Sequence, residues 1–222
     1  MRTAFFGGSF DPPHLGHLAI ARAAQQSLAL DQVLFAPVGL QPLKPGGPAA
    51  SFEDRVAMTQ LAIAGNPAFQ LSLIDAPGRD SKPNYTIDTL HQLQNTLPVN
   101  TELFLLLGAD SLRNIAQWHS AIELPFAATL VIASRPEGDL TNPAEYLPEP
   151  LTLTPTSDPN HHHIHNPSGQ QADLYLLPNL NYEVSATQIR DQLHAPSAKQ
   201  TTTPELIPTS VLDYIRQHHL YE

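Results

Sequence analysis

The segment Gly7-Gly8-Ser9-Phe10-Asp11-Pro12-Pro13-His14-Leu15-Gly16-His17 combines what an enzyme needs to hold a phosphate group. Its paired glycines let the backbone approach a ligand closely, and the helix start that follows offers N–H groups and a partial positive charge. His14 and His17 are three apart at that start, so both imidazoles share one face and can donate hydrogen bonds to phosphate oxygens. The segment is neither a Walker A loop, which needs Gly-Lys-Ser/Thr, nor G-x-G-x-x-G. On residue types alone, the His pair could equally ligate a metal or cap the helix. A second segment, Val184-Ser185-Ala186-Thr187-Gln188-Ile189-Arg190, reads as a capped helix start with two hydroxyls and an Arg one turn on. That is a second anion site, or an ordinary N-capped helix with a solvated Arg.

These groups need a scaffold. Residues 3–6 form a short apolar run ended by the glycines, and residues 15–30 carry a helical pattern with Leu18, Ala21, Arg22 and Gln25 in register. Strands are expected at 32–37, 70–75, 102–107, 129–133 and 173–177. Helices are expected at 51–64, capped by Ser51, at 86–97, after Gly108 through Leu112, Ile115, Ala116 and Ile122, at 185–193 and at 208–219. Strands alternating with helices at this rhythm predict an α/β fold, a Rossmann-like doubly wound parallel sheet with a small C-terminal helical part over 185–222. Residues 136–171, rich in proline, read as an irregular surface excursion within a single domain spanning 1–222. In such a sheet, ligands sit beyond the carboxyl ends of the strands. The polar segments there include Lys44 in a Pro/Gly-rich loop, Gly108-Ala109-Asp110, and Ser134-Arg135-Pro136, and they are expected to converge on one cleft.

Composition removes whole classes of function. With 222 residues the chain can bury a sizeable core, and at 41% hydrophobic and 14% charged it is neither disordered nor a membrane protein. No apolar run approaches a spanning helix and the N-terminus lacks a signal h-region, so a cytoplasmic protein is expected. The absence of Cys excludes disulfides, thiolate nucleophiles and Cys-bound zinc. A net charge of -10 has the wrong sign for broad binding to nucleic acid, so phosphate must be held locally by a few placed cations and amides.

The glycine-histidine segment resembles the signature of the nucleotidylyltransferase superfamily, and residues 184–190 resemble its Ile-Ser-x-Thr-x-Ile-Arg element. Asn84-Tyr85-Thr86-Ile87-Asp88-Thr89-Leu90, the stretch from Gly108 to Trp118 and the terminal Tyr214-Ile215-Arg216-Gln217-His218-His219-Leu220-Tyr221 are similar to the bacterial nicotinate-mononucleotide adenylyltransferases. The resemblance covers nearly the whole chain in order and weakens over 136–171. It implies transfer of AMP from ATP to nicotinate mononucleotide, giving deamido-NAD and pyrophosphate, with Mg²⁺ bound through the ATP phosphates.

By position, the resemblance gives His14 and His17 the ATP phosphates, Gly7, Gly8, Ser9 and Phe10 a backbone lining for the nucleotide, and Asp110 the ribose hydroxyls. It assigns Ser185, Arg190 and Arg135 to the triphosphate, and His14, His17 and Arg190 to catalysis. Lys44 would hold phosphate, Trp118 would stack on the pyridine ring, Thr86 and the nearby backbone amides of Ile87 and His119 would receive the nicotinate carboxylate, and Tyr85 would bind the same substrate. Residue by residue, plainer readings stand: Trp118 as a core aromatic on a helix, Asp110 as a cap, Lys44 as a surface charge. Leu43 stands where the family loop carries His, and Pro13 replaces an aliphatic residue. The run His161-His162-His163-Ile164-His165 would place His161, His163 and His165 on one side if extended, but it holds no carboxylate and is expected to be a solvated loop without a metal. Competing functions are the same transfer to nicotinamide mononucleotide or phosphopantetheine, a nucleotide sensor without turnover, and a His-rich metal module. A homo-oligomer is left open.

Overall fold

Residues 1–43, 46–78, 82–133, 142–177, 180, 184–194 and 206–222 are described by the structure, a computed structural model. Eight strands build one sheet: β1 (Arg2–Gly8), β2 (Gln32–Pro37), β3 (Phe69–Leu71), β4 (Glu102–Gly108), β5 (Thr129–Ala133), β6 (Thr152–Pro155), β7 (His161–His165) and β8 (Gln171–Leu177), in the order β3-β2-β1-β4-β5-β8-β7-β6. β1 with β4, β4 with β5, and β5 with β8 pair in parallel, Arg2 facing Glu102, Leu105 facing Leu130, and Leu130 facing Leu174. Buried residues run almost unbroken through Thr3 to Phe6, Leu103 to Leu107 and Leu130 to Ala133, the pattern of strands covered on both faces. The Rossmann-like α/β architecture read from the sequence is thus the one observed. Its helices are α1 (Leu15–Ser27), α2 (Phe52–Ile63), α3 (Thr86–Thr96), α4 (Ala109–Arg113), α5 (Leu124–Ala127), α6 (Ala186–His194) and α7 (Thr209–Gln217).

Packing divides the chain into two compact units interleaved along the sequence. One comprises Met1–Phe6, Ile20–Val33 and Tyr85–Asn181; its core joins the inner strands to Leu90 and Leu93 of α3, Leu112 of α4 and Leu124 of α5. There Gln94 Nε2 donates to the Ala127 carbonyl at 2.8 Å, tying α3 to α5. The other comprises Gly7–Ala19, Leu34–Asn84 and Tyr182–Glu222, with the Phe35 ring in contact with those of Phe10 and Phe69, and α2 against α7. Ser51 caps α2 as its position predicts, accepting from the Asp54 amide at 3.1 Å.

Several elements differ from the sequence expectation. The third strand ends at Leu71 rather than at 75, because the Ser72 hydroxyl takes the Ile74 amide and turns the chain. α1 stops at Ser27, where Ala29 adopts φ 46 and the Leu30 amide returns to the Gln25 carbonyl at 3.1 Å, a Schellman closure without glycine. The single helix expected through Ile122 is broken. Asn114 Nδ2 donates to the Asp110 carbonyl at 2.9 Å, a 3-10 turn follows at Ile115–Gln117, and Pro125 sits in the first turn of α5. Ile122 is accordingly exposed.

Finally, the stretch expected to be irregular between 136 and 171 contains a 3-10 turn at Pro143–Tyr146 and the strands β6 and β7, which pair antiparallel with each other and with β8. Prolines sit at the ends of these elements, at Pro143 and Pro155, where a missing N–H costs nothing. β7 carries one buried apolar residue, Ile164, so its strand state comes from pairing rather than from a hydrophobic pattern.

Candidate active site

In the second unit the glycine loop leaves β1 and enters α1 through a shell of long-range hydrogen bonds. Asp11 is buried, and its carboxylate accepts from the Ala49 amide at 2.7 Å, the Ala50 amide at 3.1 Å and the Tyr221 hydroxyl at 2.7 Å. Arg190 of α6 donates from Nη1 to the Asp11 carbonyl at 2.7 Å and from Nη2 to Thr187 Oγ1 at 3.3 Å. Arg55 of α2 is 1% exposed and donates to the Ser9 carbonyl at 2.7 Å and the Val38 carbonyl at 2.9 Å. Burial pushes its guanidinium below the ordinary arginine value, and the neighbouring Asp11 charge opposes that shift. Burial first, and then the bond to Asp11, raises the Tyr221 phenol far above its ordinary value. The loop is therefore a fixed cradle, held from three directions by charge-assisted bonds.

The His pair stands on that cradle. The two rings stack with centroids 3.7 Å apart at 28°, so the shared face expected from their spacing is realised. His17 Nδ1 accepts the backbone N–H of His14 at 3.2 Å, the back-bond of a capping box at the start of α1. In the neutral ring this fixes the proton on Nε2, which makes that nitrogen the donor. The capping alternative is thus met by one nitrogen of His17. Phe10 lies edge-on to His17 at 5.0 Å, buried, with φ 48. A Cβ on Gly8 would stand 3.3 Å from the Phe10 ring, so this glycine makes room for the protein's own aromatic. The Ser9 hydroxyl donates to Gln41 Oε1 at 2.9 Å.

α6 begins with a complete reciprocal cap: Ser185 Oγ accepts the Gln188 amide at 3.1 Å, and Gln188 Oε1 accepts the Ser185 amide at 3.1 Å. This element carries Arg190 to the loop, so the two sequence segments that suggested anion binding meet in one unit. Among the described residues, these contacts use two of the five N–H donors of Arg190. Leu43 is exposed. Lys44 lies outside the described residues, as does Arg135.

In the first unit, Tyr85 precedes α3 and its ring meets that of His119 at 4.4 Å and 32°. Thr86 and Ile87 are the first residues of α3, whose N-cap position, Tyr85, supplies no side-chain hydrogen bond. Their amides are therefore helix-start donors suited to a carboxylate. Trp118 is half-buried in extended backbone just after the 3-10 turn, which removes the reading of it as a core residue of an amphipathic helix. Asp110 does not cap α4; Gly108 holds the N-cap position, and the Asp110 carboxylate accepts from Arg113 at 2.8 Å.

Sequence reasoning missed Asp11, Arg55 and Tyr221 as parts of this site. For Arg55 a signal existed: Arg55, Met58, Thr59, Ala62 and Ile63 form the buried stripe of α2, and a charge in such a stripe must have a buried partner. The pairing of Tyr221 with Asp11 crosses 210 positions and left no local trace.

Residues 5–192 match the family model described as cytidylyltransferase-like. The chain is 35% identical over 222 residues to the "Probable nicotinate-nucleotide adenylyltransferase" of Trichlorobacter lovleyi, covering 100% of both chains. The protein of the same name from Gloeobacter violaceus is 36% identical over 223 residues, covering 100% of this chain and 96% of its own. Among solved structures, Plasmodium falciparum nicotinic acid mononucleotide adenylyltransferase complexed with NaAD aligns over 99% of this chain and 97% of its own, with a TM-score of 0.71. At 17% identity that likeness is one of fold.

Proposed function

The chain belongs to the nicotinate-nucleotide adenylyltransferase family, and on that premise we propose that it transfers AMP from ATP to nicotinate mononucleotide through the residues described above. The observation that carries the assignment of roles is the His14–His17 stack on a loop clamped by Arg55 and Arg190, with the proton of neutral His17 directed to Nε2.

A phosphate oxygen of the mononucleotide attacks the α-phosphorus of ATP in line, a new P–O bond forms, and the bond to the leaving pyrophosphate breaks. The attacking phosphate has a second pKa near ~6 and is already largely ionised at neutral pH, so no strong general base is needed. Catalysis then consists of holding two anions together and offsetting charge on the transferred group and on pyrophosphate. His17 Nε2 and His14 donate to phosphate oxygens, Arg190 and the α6 start with Ser185 face the triphosphate, and the backbone of Gly7, Gly8, Ser9 and Phe10 lines the nucleotide. Lys44 and Arg135 take the phosphate roles their motif positions imply. Asp110 accepts from the ribose hydroxyls. Trp118 stacks on the pyridine ring, and the amides of Thr86 and Ile87, with Tyr85 and His119, receive the nicotinate carboxylate.

Mg²⁺ would enter with the nucleotide as part of the substrate and would supply charge neutralisation to the triphosphate. That fits the chemistry of the loop: its one buried carboxylate, Asp11, accepts from two amides and a phenol. Among the described residues no helix is long and apolar enough to cross a membrane. We assign the enzyme to the cytoplasm, with soluble nucleotides as its partners.

The test is pyrophosphate release with ATP and Mg²⁺, comparing nicotinate mononucleotide, nicotinamide mononucleotide and phosphopantetheine. Strong preference for the nicotinate form is expected. Turnover with another acceptor overturns the carboxylate site, and silence with all three leaves a nucleotide sensor.

A further inference from the structure

The strand pairing that replaces the expected irregular stretch also creates a cluster no single segment contains. Register on β7 and β8 sets His163 opposite Asp173 and His161 opposite Tyr175, so alternate histidines of β7 share one face with the carboxylate. His161 Nε2 and His163 Nδ1 both lie 2.9 Å from the same oxygen, Asp173 Oδ1. The three ligand atoms are all within 4.8 Å of one another. From this geometry we infer that His161, His163 and Asp173 bind a divalent transition-metal ion of the zinc class, clipping β7 to β8.

Two imidazoles and one carboxylate, with a water in the fourth position, form a recurrent zinc donor set, and imidazole nitrogens disfavour Mg²⁺ and Ca²⁺. Tetrahedral zinc with bonds of about 2.0–2.2 Å separates neighbouring donor atoms by about 3.3 Å. The contacts at 2.9 Å therefore open by only about 0.4 Å when an ion replaces the shared protons, while the two ring nitrogens, within 4.8 Å of each other, must draw together. Ordering is largely in place beforehand. The His161 ring stacks on Tyr175 at 4.4 Å and 6°, and the strands on both sides of β7 fix its backbone. The side chains of His161, His163 and Asp173 are 21%, 32% and 41% exposed, enough for an ion to enter from solvent with a water ligand. His165 continues the face but is engaged through Nε2 with Thr154 Oγ1 at 2.9 Å, so the donor set is the three residues named.

The experiment is equilibrium dialysis of the chelator-stripped full chain against Zn²⁺, paired with visible absorption after Co²⁺ addition. The chain has 11 His, so the variants decide where an ion sits. One Zn²⁺ per chain at micromolar affinity or tighter is expected, with a Co²⁺ ligand-field band. Affinity should fall about tenfold or more in Asp173→Asn and in His163→Asn and stay unchanged in His91→Asn, which alters an exposed residue of α3. Should Asp173→Asn lose its native circular dichroism, His161→Gln gives the same reading. Failure to bind one equivalent, or binding and a Co²⁺ band that survive these substitutions, overturns the site. Adenylyl transfer is not a readout, so this result and the test of the proposed function stand apart.

Discussion

His17 illustrates how one side chain serves both fold and chemistry. Its Nδ1 closes the first turn of α1 while its Nε2 is left with the proton. His17→Ala should therefore lower kcat by about 100-fold or more, the usual scale for losing a positioned proton or charge donor, while shifting Tm only slightly. Parallel losses of Tm and activity would reduce it to a cap. Trp118, half-buried outside any helix, should behave as a ligand-facing ring. Trp118→Ala is expected to raise KM for the pyridine mononucleotide with a smaller effect on KM for ATP; an unchanged KM would return it to a packing role. Tyr221 links pH to stability. Its folded phenol titrates far above its unfolded value, so its contribution is complete below about pH 10 and is lost as pH rises beyond it, at up to about 1.4 kcal/mol per pH unit. Urea melts of Tyr221→Phe from neutral pH to pH ~11 should show a shallower alkaline decline than the parent. Equal slopes would mean the phenol is not held neutral by Asp11.

At the level of elements, boundaries follow local hydrogen bonding more closely than hydrophobic period. Ser51 and Ser185 cap where sequence places them because a cap is satisfied within three residues. The helix through Ile122 fails because Asn114 competes for a helical carbonyl, a contest that the apolar spacing of Leu112, Ile115 and Ile122 does not record. α1 ends at Ser27, and Ala29 just beyond it lies in the left-handed region, where a Cβ is disfavoured. Ala29→Gly should stabilise the chain by about 0.5–1 kcal/mol, read as a higher urea midpoint at constant m-value. A lower midpoint would show that the backbone entropy of glycine outweighs the relief. Edge protection is also built at this level: β3 is three residues long and β6 ends in Pro155, so neither sheet edge offers a long free ladder.

For the whole molecule, the proposed function requires a chain of net charge -10 to hold anionic nucleotides through a few locally placed cations. Saturating MgATP near 100 times its Kd should add about 2.7 kcal/mol to stability, which for a chain of this size raises Tm by roughly 5–10 °C. No shift at millimolar MgATP would sink the nucleotide site. The sequence by itself determined the alternation of strands and helices, the glycine-histidine loop, the caps, and the family reaction, because each is written in residues that interact within a turn or two or in a long ordered motif. Only the tertiary structure decided that Arg55 would underpin the loop, that Tyr221 would close on Asp11, and that the histidine run would be a strand facing Asp173. The physical reason is common to all three. Each pairs groups far apart in the chain, and which partners meet is set by strand register and helix packing, to which a residue's neighbours in sequence give no address.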